Sequence, residues 1–395
     1  MPGKITRSGR EKEGHMKYRK FGKMDWKAST LGFGAMRLPI LNGDHRNINE
    51  PESIRMIRYA IDHGVNYIDT AYFYHGGNSE VVVGKALQDG YREKVRIATK
   101  LPCPDVHVPE DFDRLLNEQL KRLQTKKIDF YLLHGLNTME WTKVRDFGVL
   151  KWAEGAITNG RIGHLGFSFH DTYDVFQEIV DSYDNWILSQ IQYNYMDEEL
   201  QAGTRGLEYA YKKGLAVVVM EPIRGGRLAK PSEKLAKIWA TAPVQRTPQE
   251  WALRWVWNHP QVTLALSGMS TMQQVVENVA YAEQSQPHNL KADELALIGR
   301  VRDTYLSLSP ISCTSCRYCM PCPNDVDIPR VFDFYNEAMI YNTAPEARKM
   351  YTEPWIKEHR ADKCIKCDQC VEKCPQKLPI PELLEKVHEF LTAKE

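Results

Sequence analysis

Three short apolar segments each end in an ionisable side chain. Val65-Asn66-Tyr67-Ile68-Asp69 ends in a carboxylate, Val95-Arg96-Ile97-Ala98-Thr99-Lys100 in an amine, and Ile128-Asp129-Phe130-Tyr131-Leu132-Leu133-His134 in an imidazole. Tyr74 follows Asp69 by five residues. A phenol beside an ammonium is a proton donor, a carboxylate can hold the ammonium, and an imidazole can hydrogen-bond a polar substrate atom. Each residue alone has an ordinary reading: a capping Asp, a packing Tyr, a solvated Lys, a satisfied polar His. Three successive buried strands ending in ionisable groups are not what packing alone produces. In a parallel barrel those ends share one face, and that face carries the chemistry.

Cysteine supplies the second constellation. Of nine, only Cys103 precedes residue 313; the other eight lie between Cys313 and Cys374. A secreted disulfide scaffold would not confine its cysteines to one end of a large chain, so metal or cluster ligation in a reducing compartment is favoured. The first run is Cys313-x2-Cys316-x2-Cys319-x2-Cys322-Pro323, the second Cys364-x2-Cys367-x2-Cys370-x3-Cys374-Pro375. The second has the bacterial ferredoxin spacing, and the first is one residue short of it in its last interval. Three close thiolates serve one cubane and the fourth usually serves the other. Two [4Fe-4S] clusters are expected, one on Cys313, Cys316, Cys319 and Cys374, the other on Cys364, Cys367, Cys370 and Cys322. The competing reading is two four-thiolate zinc sites, but zinc ribbons set two CxxC pairs well apart. Cys103 reads as a small buried residue.

The elements that must position these groups alternate. Tyr18 to Thr30 reads as a hairpin able to close a barrel floor, and Leu31-Gly32-Phe33-Gly34-Ala35 as the first barrel strand. Helices are expected at Glu52 to His63, Glu80 to Gln88, Asp111 to Leu123, Leu150 to Thr158, Tyr173 to Val180, Leu200 to Lys213, from Thr247, and at Met272 to Ala282. Between them fall the Asp69, Lys100 and His134 strands, Leu165 to Phe169, Ile187 to Tyr193, Leu215 to Met220 and Val262 to Leu266. Thr247-Pro248-Gln249-Glu250 is a helix start, with a capping threonine, a proline at the first position and an acid at the third. Eight strands alternating with helices over about 250 residues have the size of a (β/α)8 TIM barrel. An open doubly wound sheet would want G-x-G-x-x-G after the first strand. Gly32-Phe33-Gly34 leads instead into Met36-Arg37-Leu38-Pro39. The expected domains are a disordered tail or tag at 1–15, a barrel at 16–290 and a mainly helical iron–sulfur domain at 291–395. Pro329 to Arg360 reads as long and helix-prone, its aromatics Phe332, Phe334, Tyr335 and Tyr341 serving as core or barrel contact.

At Asp69-Thr70-Ala71 with Tyr74, Ala98-Thr99-Lys100 and Leu132-Leu133-His134-Gly135, the chain resembles the aldo-keto reductase family over residues 16 to 285. The resemblance implies Tyr74 as general acid, Lys100 lowering its pKa, Asp69 holding Lys100 and His134 orienting a carbonyl. It implies hydride from NAD(H) or NADP(H). Ser168 and Gln190 would hold the nicotinamide carboxamide, although the family's Ser-Asn pair is here Ser168-Phe169. Met220 takes the place of a stacking aromatic, followed by Pro222, Ile223, Arg224 and Arg227 along the cofactor. Ser267, Gly268, Glu277 and Asn278 match the adenosine end. The basic residues that usually grip a 2′-phosphate are replaced by Gly268 and Gln274, which favours NADH, because such a phosphate is held by charge-assisted bonds.

The formal net charge is +1 with interspersed acids and bases, which is no nucleic-acid footprint. No apolar run approaches the ~18 residues that span a bilayer, and a cytoplasmic location is expected. The leading expectation is a nicotinamide-dependent reductase of a small carbonyl or alcohol substrate, its clusters structural or sensing. The alternatives are an electron-transfer protein working with an external ferredoxin or other redox partner, and a non-catalytic regulatory subunit.

Overall fold

The computed structural model describes residues 15–313, 319–374 and 376–393. Residues 1–14, within the expected tail, and Cys316 lie outside the described residues. The chain opens with an antiparallel pair, β1 (Tyr18–Lys20) and β2 (Lys27–Ser29). It then enters the barrel at β3 (Leu31–Gly34) and makes an exposed hairpin of β4 (Ile40–Leu41) and β5 (Asp44–Ile48). The barrel continues through β6 (Tyr67–Asp69), β7 (Arg96–Leu101), β8 (Ile128–Leu136), β9 (Ile162–Phe169), β10 (Leu188–Gln192), β11 (Ala216–Met220) and β12 (Leu264–Gly268). β12 pairs with β3 and closes eight parallel strands. The expected TIM barrel is present, and a helical region follows it.

Strand register carries the site. Asp69 pairs with Ala98, Lys100 with Leu132, Leu132 with Gly166, and Ser168 with Gln190. Side chains alternate faces along a strand. Lys100, two residues beyond Ala98, therefore shares the inward face with Asp69, and Ser168 and Gln190 share it too. The lower layers of that face are filled by Tyr67, Ala98, Phe130, Leu132, Leu188, Val218 and Leu264, all buried. Gly166 leaves room for this layer: a Cβ there would lie 2.6 Å from Leu188.

The hairpin plugs the floor as expected. Phe21 is fully buried, with its ring centroid 4.7 Å from Phe130 and 5.9 Å from Tyr67. Trp26 packs beside it, under the guanidinium of Arg96.

Three elements go beyond the sequence reading: the β4–β5 hairpin, a helix at Thr138–Asp146 and another at Glu233–Trp239. The first of these helices starts at Asn137, whose side chain accepts the Glu140 N–H at 2.9 Å, a capping signal present in the sequence. The eighth strand runs two residues later than expected, because its pairing with β3 extends to Ser267 and Gly268.

The chain divides into two compact units. One is the chain up to Gly225 with Glu250–Leu290; the other is Gly226–Gln249 with the chain from Lys291 onward. Residues 226–249 thus fall outside the barrel unit, although they lie within the stretch 16–290 read as barrel. Within the second unit Arg227 pairs with Glu337 at 2.6 Å and Arg246 with Glu294 at 2.5 Å. The helix-prone stretch Pro329 to Arg360 forms three helices: Ile328–Tyr341, Ala344–Tyr351 and Pro354–Lys357. Asn342, at φ 54°, ends the first, and prolines open the other two. Phe332, Phe334 and Tyr335 are core of this unit, with Val331, Tyr351, Ile380 and Leu384.

Phe21→Ala would empty the floor of the barrel. The expected loss is about 3–5 kcal/mol of barrel stability, read as a lower urea midpoint. An unchanged midpoint would show that the hairpin is not part of the core.

Candidate active site

Lys100 organises the barrel mouth. Its side chain is 1 % exposed, so its charge must be met by protein groups. Nζ donates to Asp69 Oδ1 at 2.7 Å, to the Thr70 carbonyl at 2.9 Å and to the Tyr74 hydroxyl oxygen at 3.3 Å. An ammonium has three protons, and each is placed. Because the Tyr74 oxygen accepts from Lys100, its own O–H remains to be donated elsewhere. The His134 ring stands edge-on to Tyr74, centroids 6.0 Å apart, and lies 6.2 Å from Phe73. The four residues read from the sequence therefore converge.

Burial sets the electrostatics. It pushes the Asp69 carboxyl up, with Lys100 pulling it back. It would lower Lys100, but Asp69 and Tyr74 outweigh it and hold the ammonium above its ordinary range. Burial also pushes the Tyr74 phenol up, and the opposing pull of Lys100 does not cancel it. The expectation that Lys100 leaves this phenol more acidic than usual is corrected: in the dry pocket desolvation of the phenolate is the larger effect. His134 is driven well below the usual imidazole range by burial, with Lys100 and His170 adding to the effect, and is neutral.

Residues outside the sequence reading moor this cluster. Gln119, buried in the helix Asp111–Arg122, donates to the Lys100 carbonyl at 3.0 Å and to Glu80 Oε1 at 2.7 Å. Thr99 donates to the same oxygen at 2.6 Å, and Tyr131 to Gln119 at 2.7 Å. Arg122 donates to the Tyr72 carbonyl at 3.2 Å and to Glu80 Oε2 at 3.3 Å, and its guanidinium lies 4.1 Å from the Tyr72 ring centroid. The loop that carries Tyr74 is thus tied to the back of β7. The one available signal was Glu80, a carboxylate beside Val82 and Val83 in a helix that buries that face.

The aldo/keto reductase family model matches residues 30–302. The chain belongs to the aldo/keto reductase family. A 4Fe-4S dicluster domain model matches residues 312–378. The chain is 25% identical to L-galactose dehydrogenase of Arabidopsis thaliana over 317 residues, covering 74% of this chain and 96% of that protein. It is 33% identical to a probable aldo-keto reductase of Glycine max over 157 residues, covering 38% of this chain and 44% of that protein. Among solved structures, the holo form of an aldo-keto reductase from Bacillus halodurans is 27% identical, with a TM-score of 0.61, covering 73% and 96% of the two chains. A Klebsiella pneumoniae aldo-keto reductase in complex with NADPH is 24% identical, with a TM-score of 0.57, covering 73% and 95%.

For an aldo-keto reductase the nicotinamide carboxamide needs one hydrogen-bond donor and one acceptor. Ser168 accepts the Gly135 N–H at 2.7 Å and keeps its own O–H to donate. Gln190 Oε1 is buried without a partner, while Nε2 donates to Met220 Sδ at 3.9 Å. Ser168 and Gln190, paired across β9 and β10, fit the amide. Pro222 is buried and Ile223 half-buried. Arg224 pairs with Asp197 at 3.3 Å. Arg227 lies in the second unit, paired with Glu337; it is thus held by a carboxylate rather than offered as a bare cation. Asn278 donates to Ser267 at 2.9 Å, Glu277 accepts from Gln273 at 2.8 Å, and Gly268 ends β12.

In the second unit Cys319, Cys322, Cys364, Cys367 and Cys370 line one cavity. Burial, with Cys364, Cys367 and Cys322 nearby, pushes the Cys370 thiol up to about 11. The Lys366 N–H donates to Cys364 Sγ at 3.4 Å. Cys313 packs against the core that contains Cys319 and Cys374. Among the described residues no three ligands converge on a single metal ion. The dicluster match supports iron–sulfur clusters.

The electrostatics predict a pH response. An elevated Tyr74 stays protonated through neutral pH, so carbonyl reduction is expected to be flat there and to fall only above about pH 10. The His134 ring is expected to titrate, by NMR, well below the ordinary imidazole range. The unfolded imidazole takes up a proton near ~6.5 and the folded one does not, so His134 withdraws stability as pH falls below that point. A half-point of activity near neutrality would remove Tyr74 as the donor.

Proposed function

We propose that this aldo/keto reductase family member is an NAD(P)H-dependent carbonyl reductase, with Tyr74 as general acid and two [4Fe-4S] clusters in its C-terminal domain. The observation that carries the reading is the 3.3 Å approach of Lys100 Nζ to the Tyr74 hydroxyl. A bound nicotinamide supplies the hydride, which no side chain can. Tyr74 donates its phenolic proton to the carbonyl oxygen. Lys100, held by Asp69 and the Thr70 carbonyl, stabilises the phenolate left behind. His134, neutral, hydrogen-bonds the same carbonyl and orients it. Ser168 and Gln190 fix the carboxamide, and Met220 flanks the ring. The mouth takes small carbonyls or the corresponding alcohols.

The clusters are assigned to Cys313, Cys316, Cys319 and Cys374, and to Cys322, Cys364, Cys367 and Cys370, in a domain beginning at residue 291. The cavity that joins Cys322 to the second cysteine run supports the exchange of fourth ligands. Thiolate clusters support a reducing compartment such as the cytoplasm. Their role is structural or sensing. A second reading, electron exchange with an external ferredoxin, draws support from the exposed loop 365–369 that carries Cys367.

Tyr74→Phe is expected to lower kcat for carbonyl reduction by about 10²- to 10⁴-fold, with cofactor affinity unchanged. Retained turnover would reject the role. Anaerobically purified protein is expected to be brown with about eight irons per chain. Cys322→Ser should perturb the spectrum of one cluster only; stoichiometric zinc without visible absorbance would reject both assignments.

A further inference from the structure

The family's basic residues for a 2′-phosphate are absent from positions 268 and 274. Gln274 brings no positive charge, and its Oε1 accepts the Ser270 N–H at 2.8 Å. A cation reaches the same place from another strand. Arg37 follows β3 in the short helical turn Ala35–Arg37. Its Cβ, Cγ and Cδ lie over Gly268, where a glycine-borne Cβ would meet them at 3.2–3.3 Å. Its guanidinium extends towards Gly225, where a Cβ would come within 3.2 Å of Nη2. The Ser270 hydroxyl donates to the Arg37 carbonyl at 2.8 Å and ties the turn to the end of β12. Arg37 is exposed, and no carboxylate pairs with it among the described residues. The two arginines read from the sequence as cofactor contacts are paired, Arg224 with Asp197 and Arg227 with Glu337.

We propose that Arg37 is the cofactor-selecting residue, its guanidinium taking the adenosine 2′-phosphate and making the protein NADPH-selective. The stem occupies the space that Gly268 vacates, so the charge lost from β12 is restored from β3. A guanidinium presents paired, charged N–H donors to a phosphate; a glycine has no side-chain donor and Gln274 has no charge. The NADH preference expected from positions 268 and 274 is thereby reversed. This inference rests on the nicotinamide reading above.

The test uses the full chain with its clusters, and measures dissociation constants for NADPH, NADH and adenosine 2′,5′-bisphosphate by fluorescence titration. Wild type is expected to bind NADPH more tightly than NADH and to bind the bisphosphate. Arg37→Ala should weaken NADPH and the bisphosphate by ~10- to 100-fold, the range for hydrogen bonds to a charged group, and leave NADH within about threefold. Arg37→Lys should recover part of the loss, since charge remains and the fork does not. Equal weakening of NADPH and NADH, or no weakening, overturns the proposal. Wild type that prefers NADH overturns it while leaving the reductase reading intact. Wild type that binds neither dinucleotide overturns both.

Discussion

A fully buried ammonium dominates this molecule. Lys100 carries its charge inside the barrel, where an unpaired ion is prohibitively costly. Its environment must supply an acceptor for every proton, and does so with a carboxylate, a peptide carbonyl and a phenol. Each comes from the β6 strand end or the loop after it. Removing any one would leave a buried donor unpaired, which costs more than the bond itself contributes. The site is rigid for that reason, and the requirement reaches outward. The Lys100 carbonyl is held by Gln119, Gln119 by Glu80 and Tyr131, and Glu80 by Arg122, which holds the Tyr72 carbonyl in the loop of Tyr74. The charge and the phenol it serves are fastened to one another from behind.

How much of this was legible follows from what sequence periodicity encodes. Asp69, Lys100 and His134 stood out because each ends an apolar run, and register then placed them on one face. Ser168 and Gln190 lie on the same face by the same parity. Local signals failed where position depends on a neighbour from far along the chain. Arg37 looks like loop charge until the glycines at 225 and 268 are seen to make room for it. Arg227 sits in the loop after β11 in sequence, yet its fragment folds with the chain beyond residue 291, because Glu337 and the helix Ala292–Ser307 supply its partners. The stretch after Pro329 was read as helix-prone, and it is helical; Asn342 and Pro354 divide it, and both were visible as breakers.

The cysteine region obeys the opposite logic from the barrel. There the buried charge is cationic and answered by oxygen; here five cysteines line one cavity. Its apolar core is modest and includes Cys319 and Cys374 themselves. In the proposed assignment both are cluster ligands, and a core that contains its ligands couples metal binding to folding. Spacing made the ligands readable, since a cysteine at every third position has no packing explanation.

Tyr74 shows why geometry and acidity must be kept apart. A proton donor to a carbonyl has to be protonated until hydride addition begins, and an elevated phenol meets that condition across the neutral range. The oxygen it then meets is a developing alkoxide, a far stronger base than phenolate, so transfer is downhill without any lowering of the phenol in the resting site. In the proposed reaction Lys100 contributes after the proton has left, when its ammonium faces a phenolate in a pocket too dry to solvate it. That is stabilisation of charge where it appears in the transition state. The same burial that raises the resting phenol strengthens the ammonium–phenolate attraction, since both follow from the absence of water. Desolvation and the ion pair are one arrangement acting at two stages, with Asp69 keeping the ammonium charged through both.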